Sequence, residues 1–146
     1  MKRLLPPHLT ILLLAAIAAL AVWHPAIQPI RDRALPWDIP LILGIAVLAW
    51  ARIHFARKRA EIMTFGTPRA LITDGPFRWS RNPMYLGFAL VLLAAALFVN
   101  LWCALLAPLA LVAISALWYI PFEERTLRRL FGTDFDAYAG RTRRWL

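Results

Sequence analysis

The stretch PMYLGFALVLLAAALFVNLWCALLAPLALVAISALWYI, residues 83–120, decides the fold, because it is too apolar for a water-exposed surface and too long for one membrane helix. A strongly polar residue interrupts its middle only at Asn100. A membrane span needs roughly 20 apolar residues, each rising about 1.5 Å. The stretch therefore predicts two membrane helices, 83–99 and 101–120, which form a hairpin with a tight turn near Asn100.

The rest of the chain supports a membrane protein with a single domain, 1–146. Hydrophobic residues make up 61% of its 146 residues and charged residues 17%, whereas soluble domains have roughly 45–50% and 25%. Two more apolar segments, 4–23 and 37–55, predict the first two spans. The first is too long for a typical signal peptide core. We expect an all-α membrane protein with about four transmembrane helices and a short cytoplasmic helical tail.

The distribution of cations predicts the orientation of these spans. If both termini are cytoplasmic, 15 of the 17 lysines and arginines lie on the cytoplasmic side, and only Arg31 and Arg33 lie outside. The positive-inside rule favours this arrangement, in a cell or inner membrane. The cytoplasmic cations are Lys2, Arg3, Arg52, Arg57, Lys58, Arg59, Arg69, Arg78, Arg81, Arg125, Arg128, Arg129, Arg141, Arg143 and Arg144.

The net charge of +9 could also suggest a nucleic-acid partner. However, the sequence contains no zinc-ligand spacing, no aromatic RNA-binding signature and no basic recognition helix. Its one cysteine, Cys103, excludes an internal disulfide and a cysteine metal cluster. We therefore expect the bilayer as a partner, with no nucleic acid and no metal, and the sequence leaves the oligomeric state open.

The start of the third span has the features of an anion site. Asn82 suits a helix N-cap and Pro83 a first helical position, so the helix should begin at 82–83. Its unpaired N–H groups and positive dipole end would then face the cytoplasmic interface beside Arg78 and Arg81. The alternative is an ordinary capped helix with arginines that extend to the interface.

The pair Glu123-Glu124 is the second candidate site element. It follows a stretch of 48 residues, Gly75 to Phe122, without any acidic residue. In a hairpin, the pair returns to the same membrane face as the start of the third span. Carboxylates, an anion-binding helix start and aromatic side chains together would suit S-adenosylmethionine. The alternative is that the acids only stabilise a solvated first helical turn.

The tail after Glu123 predicts one short helix to Phe131, a stop at Gly132 and a second helix from Thr133 to Tyr138. Leu127, Leu130 and Phe131 form an apolar stripe in the first of these helices. The stripe could lie on the membrane surface or close over a bound cofactor.

Several motifs in this half of the chain resemble a known family. Arg81-Asn82-Pro83-Met84-Tyr85-Leu86-Gly87, the hairpin and Glu123-Glu124 follow the order Arg-His-Pro-x-Tyr-x-Gly, hairpin, Glu-Glu. RALITDGPF (69–77) and LFGTDFDAYAGRTRRW (130–145) resemble the flanking segments. The sequence is thus similar to membrane methyltransferases of the isoprenylcysteine carboxyl methyltransferase and phospholipid methyltransferase type, over about residues 65–146.

The resemblance implies a cofactor site for S-adenosylmethionine at the cytoplasmic end of the hairpin, with S-adenosylhomocysteine as the product. Glu123 is implied as the carboxylate that faces the cofactor. For an amine or phenol acceptor, Glu124 or Tyr85 are candidates for the base. The implied cofactor-binding residues are Arg69, Ala70, Leu71, Ile72, Gly75, Phe77, Arg81, Asn82, Pro83, Met84, Tyr85 and Glu123.

Three departures from the family pattern bear on the chemistry. Asn82 and Arg69 each replace a histidine, and an asparagine donates hydrogen bonds but does not titrate. Tyr119 stands near the position of an arginine that the isoprenylcysteine enzymes use for substrate recognition. This departure weakens the case for a prenylated cysteine carboxylate as acceptor and leaves the methyl donor unaffected. An apolar lipid, isoprenoid, phospholipid amine or small hydrophobic acid would fit.

Two other functions are compatible with a small helical membrane protein. One is a four-helix transporter, although the spans carry no ionisable residue well inside the membrane, where transporters usually place one. The other is a non-catalytic membrane subunit, which would leave the Arg-Asn-Pro-x-Tyr block and the glutamate pair unexplained.

Overall fold

The computed structural model describes residues 5–23, 36–57 and 70–146. These residues form helices and contain no strand. The α-helices are α1 (Pro6–Trp23), α2 (Asp38–Arg57), α3 (Pro83–Val99), α4 (Leu106–Ile114) and α5 (Ile120–Arg141). Short 3-10 helices span Gly75–Arg78 and Trp102–Leu105, and a π-helical turn, Ser115–Tyr119, joins α4 to α5.

Helix α3 lies at the centre and packs against α1, α2 and α4. A buried cluster joins Ile17 of α1, Leu92 of α3 and Leu111 of α4 in the middle of the bundle. A second cluster brings Leu9 and Trp145 against Tyr85. The beginning and the end of the described chain therefore lie at the same end of the bundle.

Helices α2 and α3 run antiparallel and approach each other closely at two glycines. A Cβ atom on Gly44 would lie 2.9 Å from the carbonyl oxygen of Gly87, and one on Gly87 would lie 2.6 Å from Leu48 Cγ. Small residues allow such contact between membrane helices, where dispersion rather than the hydrophobic effect favours packing. Gly87, the last residue of the Arg-Asn-Pro-x-Tyr-x-Gly block, therefore contributes to helix packing.

The predicted hairpin turn is confirmed. Helix α3 ends at Val99, and Asn100 adopts a left-handed conformation (φ 53°, ψ 39°) with its N–H bonded to the carbonyl of Leu97. Asparagine tolerates this conformation better than most residues, because its short polar side chain can bond locally. The same residue therefore ends α3 and reverses the chain into α4.

The predicted break at Gly132 is also confirmed, since Gly132 leaves the helical conformation within α5 (φ 49°, ψ −122°). The sequence predicts a last span that ends at residue 120 and a separate helical tail, but the structure has no break between them. The helical chain runs from Trp102 to Arg141 without interruption other than this bend. Pro108 lies in the first turn of α4, and the irregular turn comes later, at Ser115–Tyr119.

Three helical segments of the described chain are long and apolar enough to cross a membrane: Pro6–Trp23, Asp38–Arg57 and Trp102–Arg141. The predicted third span, Pro83–Val99, is apolar but has only 17 residues, or about 26 Å at 1.5 Å per residue. Large apolar side chains such as Trp23, Trp102 and Leu117 point outward. This surface is typical of a bundle in contact with lipid.

Candidate functional site

The start of α3 lies where the sequence predicts it, between Asn82 and Pro83. However, the Asn82 side chain makes no capping bond to the first turn of α3. Its Nδ2 group donates instead to the carbonyl of Arg144 at 3.0 Å, and its backbone N–H donates to Ser80 Oγ at 3.1 Å. The N–H groups of the first turn therefore receive no side-chain acceptor from Asn82, whose backbone carbonyl accepts from the N–H of Leu86 at 3.2 Å.

The hairpin brings Tyr85 and Glu123 together, 38 residues apart in sequence. The Tyr85 hydroxyl donates a hydrogen bond of 2.9 Å to Glu123 Oε1. The Tyr85 ring stacks on that of Tyr119, with 6.1 Å between centroids and 15° between planes, and both residues are buried. The predicted meeting of the start of α3 with the glutamate pair is confirmed at this point.

Glu124 is held by two arginines. The carboxylate of Glu124 lies 3.1 Å from Arg81 Nη2 and accepts two hydrogen bonds from Arg144, of 3.0 and 2.6 Å. The hydrogen bond and the negative charge of Glu124 raise the pKa of Arg144. Such two-pronged bonds between a guanidinium and a carboxylate are among the stronger ionic contacts in proteins.

Arg81 bonds both to Glu124 and to the C-terminal part of the chain. Besides that ion pair, its Nη1 group donates to the carbonyl of Ala139 at 3.1 Å, and its backbone N–H donates to the carbonyl of Arg143 at 2.9 Å. The Nε atom is buried and has no hydrogen-bond partner among the described residues. Arg81 therefore joins the start of α3 to the C-terminal part of the chain.

The segment before α3 packs into an apolar cluster that α5 covers. Phe77 contacts Phe55 edge to face at 5.1 Å, and its carbonyl accepts a 2.7 Å hydrogen bond from the Tyr138 hydroxyl. Burial raises the pKa of Tyr138, and the nearby charge of Arg81 lowers it in part. The predicted site residues in or against this cluster are Leu71, Ile72, Phe77 and Met84.

Two further predicted site residues, Ala70 and Gly75, also precede α3. Ala70 is exposed. Gly75 has a positive φ of 61° and lies directly against the His54 ring. Arg69 lies outside the described residues.

The apolar stripe of the tail faces inward for the most part. Leu127 and Phe131 pack against the cluster around Phe77 and Phe135, whereas Leu130 is 43% exposed. Leu127 and Phe131 therefore pack against protein rather than lie on the membrane surface, and closure over a bound cofactor stays a prediction.

Sequence reasoning missed three features of this region. No sequence pattern indicated that Arg144 pairs with Glu124, that the Tyr138 hydroxyl bonds to Phe77, or that His54 lies against Asp74. His54 Nε2 lies 2.9 Å from Asp74 Oδ1. In each case the partner is distant in sequence, and only the fold brings the two together.

A family model described as phospholipid methyltransferase matches residues 38–134. The chain belongs to the phospholipid methyltransferase family. The match extends from the start of α2 to just beyond the bend at Gly132, so it contains Tyr85 and Glu123 but not Arg144. A search of curated proteins gave no match, and a search of solved structures gave none.

Membership of the phospholipid methyltransferase family, together with the apolar helices, identifies a multi-pass membrane protein and indicates methyltransferase activity on lipid-like substrates. The expected family resemblance is thereby confirmed. Among the described residues, no group of three or more His, Cys, Asp and Glu side chains could hold a metal ion.

Proposed function

We propose that this protein transfers a methyl group from S-adenosylmethionine to a hydrophobic or lipid-like acceptor at the cytoplasmic face of the membrane. The observation that carries the proposal is the Tyr85–Glu123 hydrogen bond at the start of α3, inside the segment that matches the family. It joins the two sequence motifs that the cofactor site requires and connects the two helices of the hairpin.

The residues at this end of the hairpin fit the chemical groups of the methyl donor. The first turn of α3 has no side-chain cap from Asn82, and the positive end of a helix suits a carboxylate. Glu123, oriented by Tyr85, suits an amino group or a sulfonium. Two sets of buried aromatic residues suit an adenine ring: Tyr119 beside Tyr85, and Phe77 in the segment before α3.

S-Adenosylmethionine supplies an electrophilic methyl group whose leaving group is a neutral thioether. The residues of the chain then need to align the groups and exclude water rather than activate a bond. Glu123 and the start of α3 would each bind one part of the methyl donor, and they lie on two different helices. The hydrogen bond from Tyr85 to Glu123 connects these two helices. An acceptor that must lose a proton requires a base in addition.

Within this proposal, Glu124 has a structural role. Its carboxylate is only 12% exposed and is held by Arg81 and Arg144, so it is poorly placed to accept a proton from an acceptor. Arg81 likewise acts by holding Glu124 and Ala139. Glu123 and Tyr85, which bond to each other between the two helices of the hairpin, are the candidates for contact with the reacting groups.

The bundle also suits a substrate that stays in the bilayer. Its outer surface is apolar, and the candidate site lies at the end of the bundle where Leu9 and Trp145 also lie. An acceptor could therefore reach the site sideways from the lipid without crossing water. Family membership favours this enzyme over a transporter or a non-catalytic subunit.

The test is calorimetry of S-adenosylhomocysteine binding to the purified full-length protein in detergent. We expect binding by the wild type and at least about tenfold weaker binding by Glu123→Gln, because a charged partner contributes about 1.5–3 kcal/mol. Asp134→Asn is the matched control, since Asp134 is an exposed acid of the same helix, α5. Absence of binding by the wild type, in detergent and in bilayers, would contradict the proposal.

A further inference from the structure

The chain end, residues 142–146, runs back across the start of α3 and is called here the C-terminal strap. Helix α5 ends at Arg141, and Thr142 is extended (φ −123°, ψ 131°). The strap carbonyls of Arg143 and Arg144 accept three hydrogen bonds from the residues before α3. The donors are Arg81 N at 2.9 Å, Ser80 Oγ at 3.2 Å and Asn82 Nδ2 at 3.0 Å.

The side chains of the strap reach the other wall of the candidate site. Arg144 binds both carboxylate oxygens of Glu124, which lies in the first turns of α5 next to Glu123. Trp145 packs against the cluster that contains Tyr85 and Tyr119. Arg144 therefore contacts the start of α3 with its backbone and the start of α5 with its side chain.

We propose that Arg144 is a positioning residue for the methyl-donor site, an inference that rests on the proposed function. By holding Glu124 and Asn82 together, Arg144 sets the spacing between the first turn of α3 and Glu123. Its neighbour Arg143 lacks this role, because among the described residues the Arg143 side chain bonds only to the carbonyl of Leu146, at 3.5 Å. Arg144 lies beyond the segment that matches the family model, which ends at residue 134.

The proposal predicts different effects for two adjacent arginines. In full-length protein in detergent, we expect Arg144→Ala to weaken S-adenosylhomocysteine binding about tenfold, since it removes a charge-assisted contact with a largely buried carboxylate. Arg144→Lys should recover part of the affinity, because lysine retains the charge but not the two-pronged geometry. Arg143→Ala removes the same charge and should change the affinity less than about twofold.

A double-mutant cycle separates positioning from a general loss of charge. If Arg144 acts through Glu124, then Glu124→Gln with Arg144→Ala should bind no more weakly than the weaker single variant. Thermal unfolding of each variant shows whether it is folded, and if Arg144→Ala does not fold, the comparison uses Arg144→Lys and Glu124→Gln.

The outcomes distinguish the two proposals. A folded Arg144→Ala with wild-type affinity, equal losses in the Arg143 and Arg144 variants, or additive losses in the cycle would overturn the positioning role alone. If Arg144→Ala does not fold, wild-type affinity in folded Arg144→Lys and Glu124→Gln would overturn it too. Wild-type protein that binds no S-adenosylhomocysteine would overturn the proposed function as well.

Discussion

At the scale of single residues, Gly75 shows why one position in the segment before α3 must be glycine. Its φ of 61° disfavours any side chain, and a Cβ atom there would lie 2.7 Å from Cε1 of His54. The His54 ring is itself held by Asp74 at 2.9 Å. Gly75 and His54 thus fix the segment against the last turns of α2, and Phe77 follows two residues later.

Substitution at Gly75 should separate backbone strain from overlap with His54. We expect Gly75→Ala to destabilise the protein by about 1–2 kcal/mol from strain and by about a further 1–3 kcal/mol from overlap. In a His54→Ala background the ring is absent, so only the strain should remain. The measurement is reversible unfolding of the four proteins in detergent, and an equal cost of Gly75→Ala in both backgrounds would argue against the overlap.

At the scale of the helices, the contact between Gly44 and Gly87 could be predicted only in part from the sequence. The Arg-Asn-Pro-x-Tyr-x-Gly block singled out Gly87, but nothing singled out Gly44 in α2. The central turns of both helices are apolar on all sides, so no polar face indicates which side packs against protein and which against lipid. Helix ends were easier to predict, because Pro83, Asn100 and Gly132 impose local backbone conformations.

Two glycines in helices provide a matched test of this contact. At an open helical site, Gly→Ala gains up to about 1 kcal/mol of stability, and we expect such a gain for Gly140→Ala, where an added Cβ atom would meet no described atom within 4 Å outside its own helix backbone. Gly44→Ala should instead lose about 1–3 kcal/mol, because its Cβ atom meets the backbone oxygen of Gly87. Thermal or denaturant unfolding in detergent measures both, and a gain at Gly44 would show that α2 and α3 can separate at no cost.

At the scale of the whole molecule, the order of helices followed from charge and apolar length, and the meeting of Tyr85 with Glu123 followed from the hairpin. The contacts that the tail makes with the start of α3 could not be predicted in this way. Its arginines look alike in sequence, and only the reversal of the chain after Arg141 brings Arg144 rather than Arg143 to Glu124. Long-range pairing of charges depends on such reversals, which no local pattern specifies.

The orientation of the bundle gives the last prediction. Asn100 lies at the hairpin turn and Leu146 at the chain end, and both are exposed. Since 15 of the 17 cations fall on the side of Leu146 in the expected topology, that side should be cytoplasmic. In a Cys103→Ala background, we expect a membrane-impermeant maleimide to label Asn100→Cys in intact cells and Leu146→Cys only after permeabilisation. The reverse pattern would invert the topology, and labelling of both in intact cells would contradict an odd number of membrane crossings between them.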